Sequence, residues 1–480
     1  MRQINVAFAL LTAAVLAACG GGSKSEGDQA LKTKFSSQVS FGDSLSDVGT
    51  YRVGTVKTLG GGTFGINGDL SATNSALTGK NWTELMAAQL GLPAPCAAVT
   101  GLDGVAAQGF AAPVTAHAGC FGYAQGGARV TNPVGPFHKL TGSPVGALTI
   151  PIAAQVQNHL NVAGGKFKGD ELVLMMAGAN DVFMQLAGLS AGATAAGTAA
   201  GTTVYANTLV GLLAAGATNP QSAGQAIGQA MQTEAAVAGS TQQSVTMAAI
   251  SAAAGQPGNA AVGQAGVYGP MVQQAQAAAN TAGAKAGADY AAANGPALVS
   301  AMAGAATELT ALVKTQIIGK GANFVVVNNL PDMGSTPFGK ALDAGTLALV
   351  NAMVKAFNDT LSAGLATEAK VAYVDTFFVS HDQATNPGPY GLTNTTSMAC
   401  DLSVAKNPLG SSLTCNGSNL AAGDVSHYAY ADAVHPTPFV QLLLARYVSK
   451  YLVQKGWISG RRAQNDAIGE SHTSMNREKK

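Results

Sequence analysis

Four short apolar runs, each breaking abruptly into turn residues, most constrain what this 480-residue chain can fold into. Residues 38–41 run into Gly42-Asp43-Ser44, and residues 171–177 into Gly178-Ala179-Asn180-Asp181. Residues 322–327 run into Asn328-Asn329-Leu330-Pro331, and residues 371–374 into Asp375. Short apolar runs bounded by turn residues read as buried strands. Helical patterns lie between them at 81–90, 151–160, 296–318 and 341–365, with a last one at 437–453. Gly91 and Pro93 stop the first, while Thr437 and Pro438 supply an N-cap and a first-turn proline for the last. Strands alternating with helices predict an α/β fold whose parallel sheet is covered on both faces. Ligands of such sheets sit at the carboxyl ends of the strands, where several polar motifs of this chain fall.

Residues 187–295 break that rhythm. They are dominated by Ala, Gly, Gln, Thr and Ser, and their only charges are Glu234, Lys285 and Asp289. Ala favours helix and scattered Gly opposes it, so the stretch is expected to be an insertion, helical in pieces with mobile joints. It reads either as a lid over a substrate or as a spacer. Charged residues make up 11% of the whole chain, against roughly 25% in a typical soluble domain. The net charge of +1 offers no concentrated basic face for nucleic acid.

The first residues resemble an export signal. Arg2 precedes an apolar run at 8–16 that is too short to span a bilayer. It ends in Leu16-Ala17-Ala18-Cys19, which resembles a bacterial lipobox; an ordinary signal peptide with a chance Cys is the alternative. The lipobox reading makes residues 1–18 a signal peptide and Cys19 the lipidated residue. Residues 19–34 become a flexible tether. Gly20, following Cys19, favours an outer-membrane lipoprotein of a Gram-negative bacterium. No other apolar run is long enough to be expected to cross a membrane. One domain is expected over 35–459, with a disordered tail at 460–480. Four further cysteines remain, an even number, which in an exported chain suggests two disulfides. Three pairings are possible; Cys96–Cys120 and Cys400–Cys415 close the shortest loops and are expected.

The chemistry lies at the strand ends. A serine in the turn after a strand, close to a glycine, can expose its hydroxyl, but it needs a base to act as a nucleophile. Ser44 fits that description, and capping a helix is its alternative role. Near the other end stands Asp432-Ala433-Val434-His435-Pro436. An imidazole three positions after a carboxylate can be held by it in a tight turn while its other nitrogen faces a nucleophile. Pro436 biases His435 to an extended backbone ahead of the final helix. A surface Asp–His pair is the bland alternative. Acyl transfer also needs donors to the developing oxyanion. Asn180 offers a side-chain amide, or else caps a helix. Gly126-Gly127-Ala128 offers backbone N–H groups, or else forms an ordinary turn.

The blocks GDSLSD, A-x-GGA, GAND and DxxHP, in that order, together resemble the GDSL or SGNH family of serine esterases and lipases. The resemblance covers roughly residues 39–453, apart from the insertion. It implies that Ser44 is the nucleophile and an oxyanion donor through its N–H, with Gly127 and Asn180 as further donors. His435 is then general base and acid, and Asp432 orients it. Gly122 stands where relatives often carry Asn, which leaves open whether Gly126 or Gly127 donates. Asn394 and Leu330-Pro331-Asp332 also look like family landmarks. The implied fold is flavodoxin-like, a five-stranded parallel sheet between helices, one strand more than the apolar runs reveal. The implied activity is hydrolysis of carboxylic esters at the cell envelope without metal or organic cofactor. The charge-poor insertion leans toward an apolar acyl chain. An acyltransferase, or a lipoprotein that binds without catalysis, is the alternative.

Two other motifs carry less weight. Gly188-Leu189-Ser190-Ala191-Gly192 matches a nucleophile elbow but lacks a strand before it. Gly60-Gly61-Gly62-Thr63-Phe64-Gly65 matches a dinucleotide fingerprint but lacks a helix after it. No spacing suggests a metal site.

Overall fold

A computed structural model of the chain describes residues 33–68 and 79–459. The expected signal peptide, Cys19, most of the tether and the tail lie outside the described residues. Within them the strands are β1 (Gln38–Gly42), β2 (Val99–Asp103), β3 (Ala111–Ala116) and β4 (Leu172–Met176), then β5 (Phe324–Asn328), β6 (Val371–Val374), β7 (Asn394–Met398) and β8 (Tyr428–Tyr430). The four apolar runs form one parallel sheet in the order β1-β4-β5-β6. A fifth segment pairs with the free edge of β1. Ser40 N–H donates to Phe121 O at 3.0 Å, and Tyr123 and Gln125 N–H donate back to Ser40 O and Gly42 O at 2.8 and 3.1 Å. The sequence hid this segment because Gly122 interrupts its apolar pattern.

Alternate residues of each strand serve opposite faces, as a pleat requires. Phe41, Val173, Met175, Val325 and Val327 point into one core, against helices Ile152–Val162, Ala265–Leu312 and Ala344–Leu365. Leu172, Leu174, Val326 and Val374 point into the other, against helices Trp82–Gln89 and Pro438–Gln454. The structure is therefore a mixed α/β fold with a parallel sheet between helical layers. Local chemistry sets the helix starts. Asn81 and Glu84 form a capping box at Trp82, and Thr437 Oγ1 accepts from Val440 N–H ahead of Pro438.

The insertion is helical in pieces, as expected, and two of its helices are long. Helix Ala179–Ala214 runs unbroken for 36 residues and helix Ala265–Leu312 for 48. The second passes through Pro270 and Pro296, so the helix expected to begin at 296 is the last third of a longer one. The two helices pack with their backbones almost touching. A Cβ on Gly197 would lie 2.8 Å from Gly283 O, and one on Gly283 would lie 2.8 Å from Gly197 O. The abundant Gly and Ala are what permit this approach, and the packing outweighs the weak helix propensity of Gly. At the far end, helices Pro220–Ala235 and Gln242–Ala254 build a separate small core around Leu209, Leu213, Ile227 and Ile250. Helix Ala265–Ile318 is long and apolar enough to cross a membrane by length and composition alone, although Gly and polar residues interrupt it throughout. It runs along helices Ala179–Ala214 and Ala344–Leu365.

Disulfides join Cys96 to Cys120 and Cys400 to Cys415 across 24 and 15 residues. Loop-closure entropy assigns each about 3 kcal/mol. Replacing either pair by Ala is expected to lower the urea midpoint accordingly; an unchanged midpoint would show that the bridge constrains nothing.

Candidate active site

The parallel register brings the carboxyl ends of the strands to one edge. Gly42, Met176 and Asn328 lie side by side across β1, β4 and β5. Ser44 follows β1 by two residues and lies in a turn with no helix directly after it, so it has none to cap. Asn180 stands in the first turn of the helix that follows β4. That helix is capped by Gly178 and not by the Asn180 side chain. From the other end of the chain, the loop between β8 and helix Pro438–Gln454 carries Asp432 and His435 to the same place.

Ser44 Oγ lies 2.8 Å from His435 Nε2. The opposite ring nitrogen, Nδ1, lies 2.7 and 2.9 Å from the two oxygens of Asp432. This arrangement holds the ring with Nδ1 protonated and Nε2 free to accept from Ser44. Asp432 is buried and also accepts the N–H groups of Ser412, Val434 and His435 at 2.8–3.0 Å. Burial by itself works against its charge. The imidazole of His435 and the hydrogen bonds outweigh that and hold the carboxyl well below its usual range. Phe64 lies against the imidazole, with ring centroids 4.9 Å apart.

The glycine pair is fixed by residues to which sequence reasoning gave no role. Asp47, buried beneath the Ser44 turn, accepts the N–H of Gly126 at 2.9 Å as well as those of Gly49 and Thr50. Tyr51 donates its hydroxyl to Gly126 O at 2.7 Å. The Gly126 N–H is therefore engaged, and the next one, of Gly127, is the one left beside the cavity. Gly127 has φ +81°, and a Cβ there would lie 2.5 Å from Pro136 O. Only glycine fits that backbone and that space. Among the described residues, neither the Ser44 N–H nor the Gly127 N–H has a hydrogen-bond partner. Asn180 Nδ2 donates one hydrogen to Ala128 O at 2.9 Å and keeps a second. Asp181 completes the frame, pairing with Arg129 and accepting Val130 N–H at 3.0 Å. The motifs GDSLSD and GAND contain these anchors, but nothing in the sequence says which partners they hold.

Ser44, Gly127, Asn180, Asp432 and His435 line one cavity of about 310 Å³. Its remaining wall is largely apolar and includes Leu45, Phe137, Phe183, Met333, Leu402 and Val434. No residue from 187–295 lines it. The nucleophile-elbow match around Ser190 lies in mid-helix, and the glycine-rich stretch 60–65 only supplies Phe64 to the wall. Among the described residues, no group of three or more His, Cys, Asp or Glu could hold a metal ion.

Asp43, beside the nucleophile, is wholly buried, and that burial pushes its carboxyl up to about 7. The folded state then holds this proton more tightly than the unfolded chain, whose Asp titrates near 4. Its contribution to stability accordingly falls as pH rises from about 4 to 7. Chemical unfolding across that range is expected to lose part of this slope in Asp43→Asn; an identical slope would remove Asp43 as its source.

No family model matches the chain. Over 146 residues, 28% of this chain, the sequence is 27% identical to a GDSL esterase/lipase of Arabidopsis thaliana. The match spans 38% of that relative's length.

Proposed function

We propose that the chain is a serine hydrolase of carboxylic esters, of the SGNH type, acting through an acyl-enzyme on Ser44. The observation that carries this reading is the contiguous hydrogen-bonded series from Ser44 through His435 to a buried Asp432. The sheet supports it as well. With the segment at 121–125 on its edge, the strand order corresponds to the 2-1-3-4-5 of a flavodoxin-like fold.

Ser44 Oγ attacks the ester carbonyl while its proton passes to His435 Nε2. Asp432 stabilises the imidazolium that results. The carbonyl oxygen becomes an oxyanion facing the N–H groups of Ser44 and Gly127 and the free amide hydrogen of Asn180. The C–O bond then breaks, and His435 returns its proton to the leaving alcohol. Water, deprotonated by the same imidazole, attacks the acyl-Ser44 ester. The acid departs and Ser44 Oγ regains its proton. The apolar wall suits a hydrophobic acyl group. The protein is exported, and lipid on Cys19 holds it at the cell envelope, on the outer membrane of a Gram-negative bacterium.

Ser44→Ala is expected to reduce hydrolysis of p-nitrophenyl esters by up to roughly a million-fold, with the fold intact by circular dichroism. A rate equal to the parent's would sink the assignment. Asn180→Ala is expected to lower kcat by about 10²–10³ with little change in KM; a loss confined to KM would mean that Asn180 binds substrate and does not stabilise the oxyanion.

A further inference from the structure

Behind the catalytic cavity lies a second chamber of about 70 Å³. One water needs only about 10–15 Å³ on such a measure, so this is a sizeable void for a packed interior. The two spaces share Leu45, Pro331, Thr336 and Val434 as a common wall. Leu45 is the residue after the nucleophile. Beyond that partition the chamber sits among β4, helix Thr376–Thr385, β8 and helix Pro438–Gln454, which contribute Met176, Val379, Ala429, Val440 and Leu444. A void with that lining favours an apolar occupant over water. Five nine-tenths-buried polar side chains also line it: Asp332, Thr336 and Thr376, which are hydrogen-bonded to Ser335 and His381, to Met333 O and to Asn328 Oδ1 respectively, and Gln383 and Tyr430. Among the described residues, neither the amide of Gln383 nor the hydroxyl of Tyr430 has a hydrogen-bond partner.

We propose that this chamber receives the distal end of the substrate's acyl chain, so that medium-length acyl esters are preferred over acetates. The inference rests on Ser44 as nucleophile and adds which part of the substrate goes where. The carbonyl stays at Ser44, the first methylenes fill the catalytic cavity, and the chain end passes the Leu45–Val434 partition. Chamber volume then sets the chain-length limit. The arm at 187–295 has no part in it.

The test is kcat/KM for p-nitrophenyl esters from acetyl to palmitoyl, with the acetyl ester as internal reference. Ala384, half-buried on helix Thr376–Thr385, lines the chamber and not the catalytic cavity. Ala384→Leu fills the space and is expected to cut the ratio of the parent's best ester to acetate by about tenfold or more, since a methylene in an apolar pocket is worth roughly 10–200-fold. Val440→Ala enlarges the space and is expected to move the optimum to longer chains. An unchanged ratio in Ala384→Leu with an unmoved optimum in Val440→Ala would overturn the proposal. So would a parent that hydrolyses acetate best. If the parent hydrolyses no ester and a fluorophosphonate leaves Ser44 unlabelled, the underlying reading fails, and the chamber's assignment with it.

Discussion

Parallel pairing is the constraint on which the rest of the structure depends. A parallel strand cannot return through a tight turn, so each strand is followed by a long crossover, and every strand ends at the same edge of the sheet. Register turns that rule into a site. With Gly42 beside Met176, the turn after β1 and the helix start after β4 stand next to each other, and Ser44 and Asn180 meet across 136 residues of sequence. The pleat supplies the support, because alternate apolar side chains fill two separate cores and leave the strands little freedom to slip.

Buried carboxylates then hold the loops that the sheet edge collects. Asp432 gathers three backbone N–H groups and the imidazole, Asp47 holds the glycine loop, and Asp181 anchors the chain at Arg129 and Val130. Each is an acceptor placed where burial would otherwise leave backbone donors unsatisfied. The geometry at Ser44 thus rests in part on Asp47 and Asp181, which do not line the cavity. The helical arm solves a different problem. Its long helices lie against each other through Gly and Ala, and its far end carries a core of its own. This architecture explains the composition of 187–295 without calling on the catalytic cavity.

By itself the sequence determined the local matters. Short apolar runs that break into turn residues marked β1, β4, β5 and β6, because a strand buried on both faces needs few polar positions. Asn81 with Glu84, and Thr437 with Pro438, marked helix starts, since capping needs only neighbouring residues. The order of the short motifs pointed to Ser44, Asn180, Asp432 and His435, and loop length pointed to the two cysteine pairs that the structure joins. Tertiary structure alone decided what depends on residues far apart. The edge segment at 121–125 takes its extended form from β1 and not from its own pattern. Within the Ala/Gly tract the two long helices run continuously because each found the other to pack against. Gly127 rather than Gly126 faces the cavity because Asp47, 79 residues away, engages the Gly126 N–H. Propensity and periodicity act over a few residues, whereas a hydrogen bond or an interhelical contact exists only once the whole chain has closed around it.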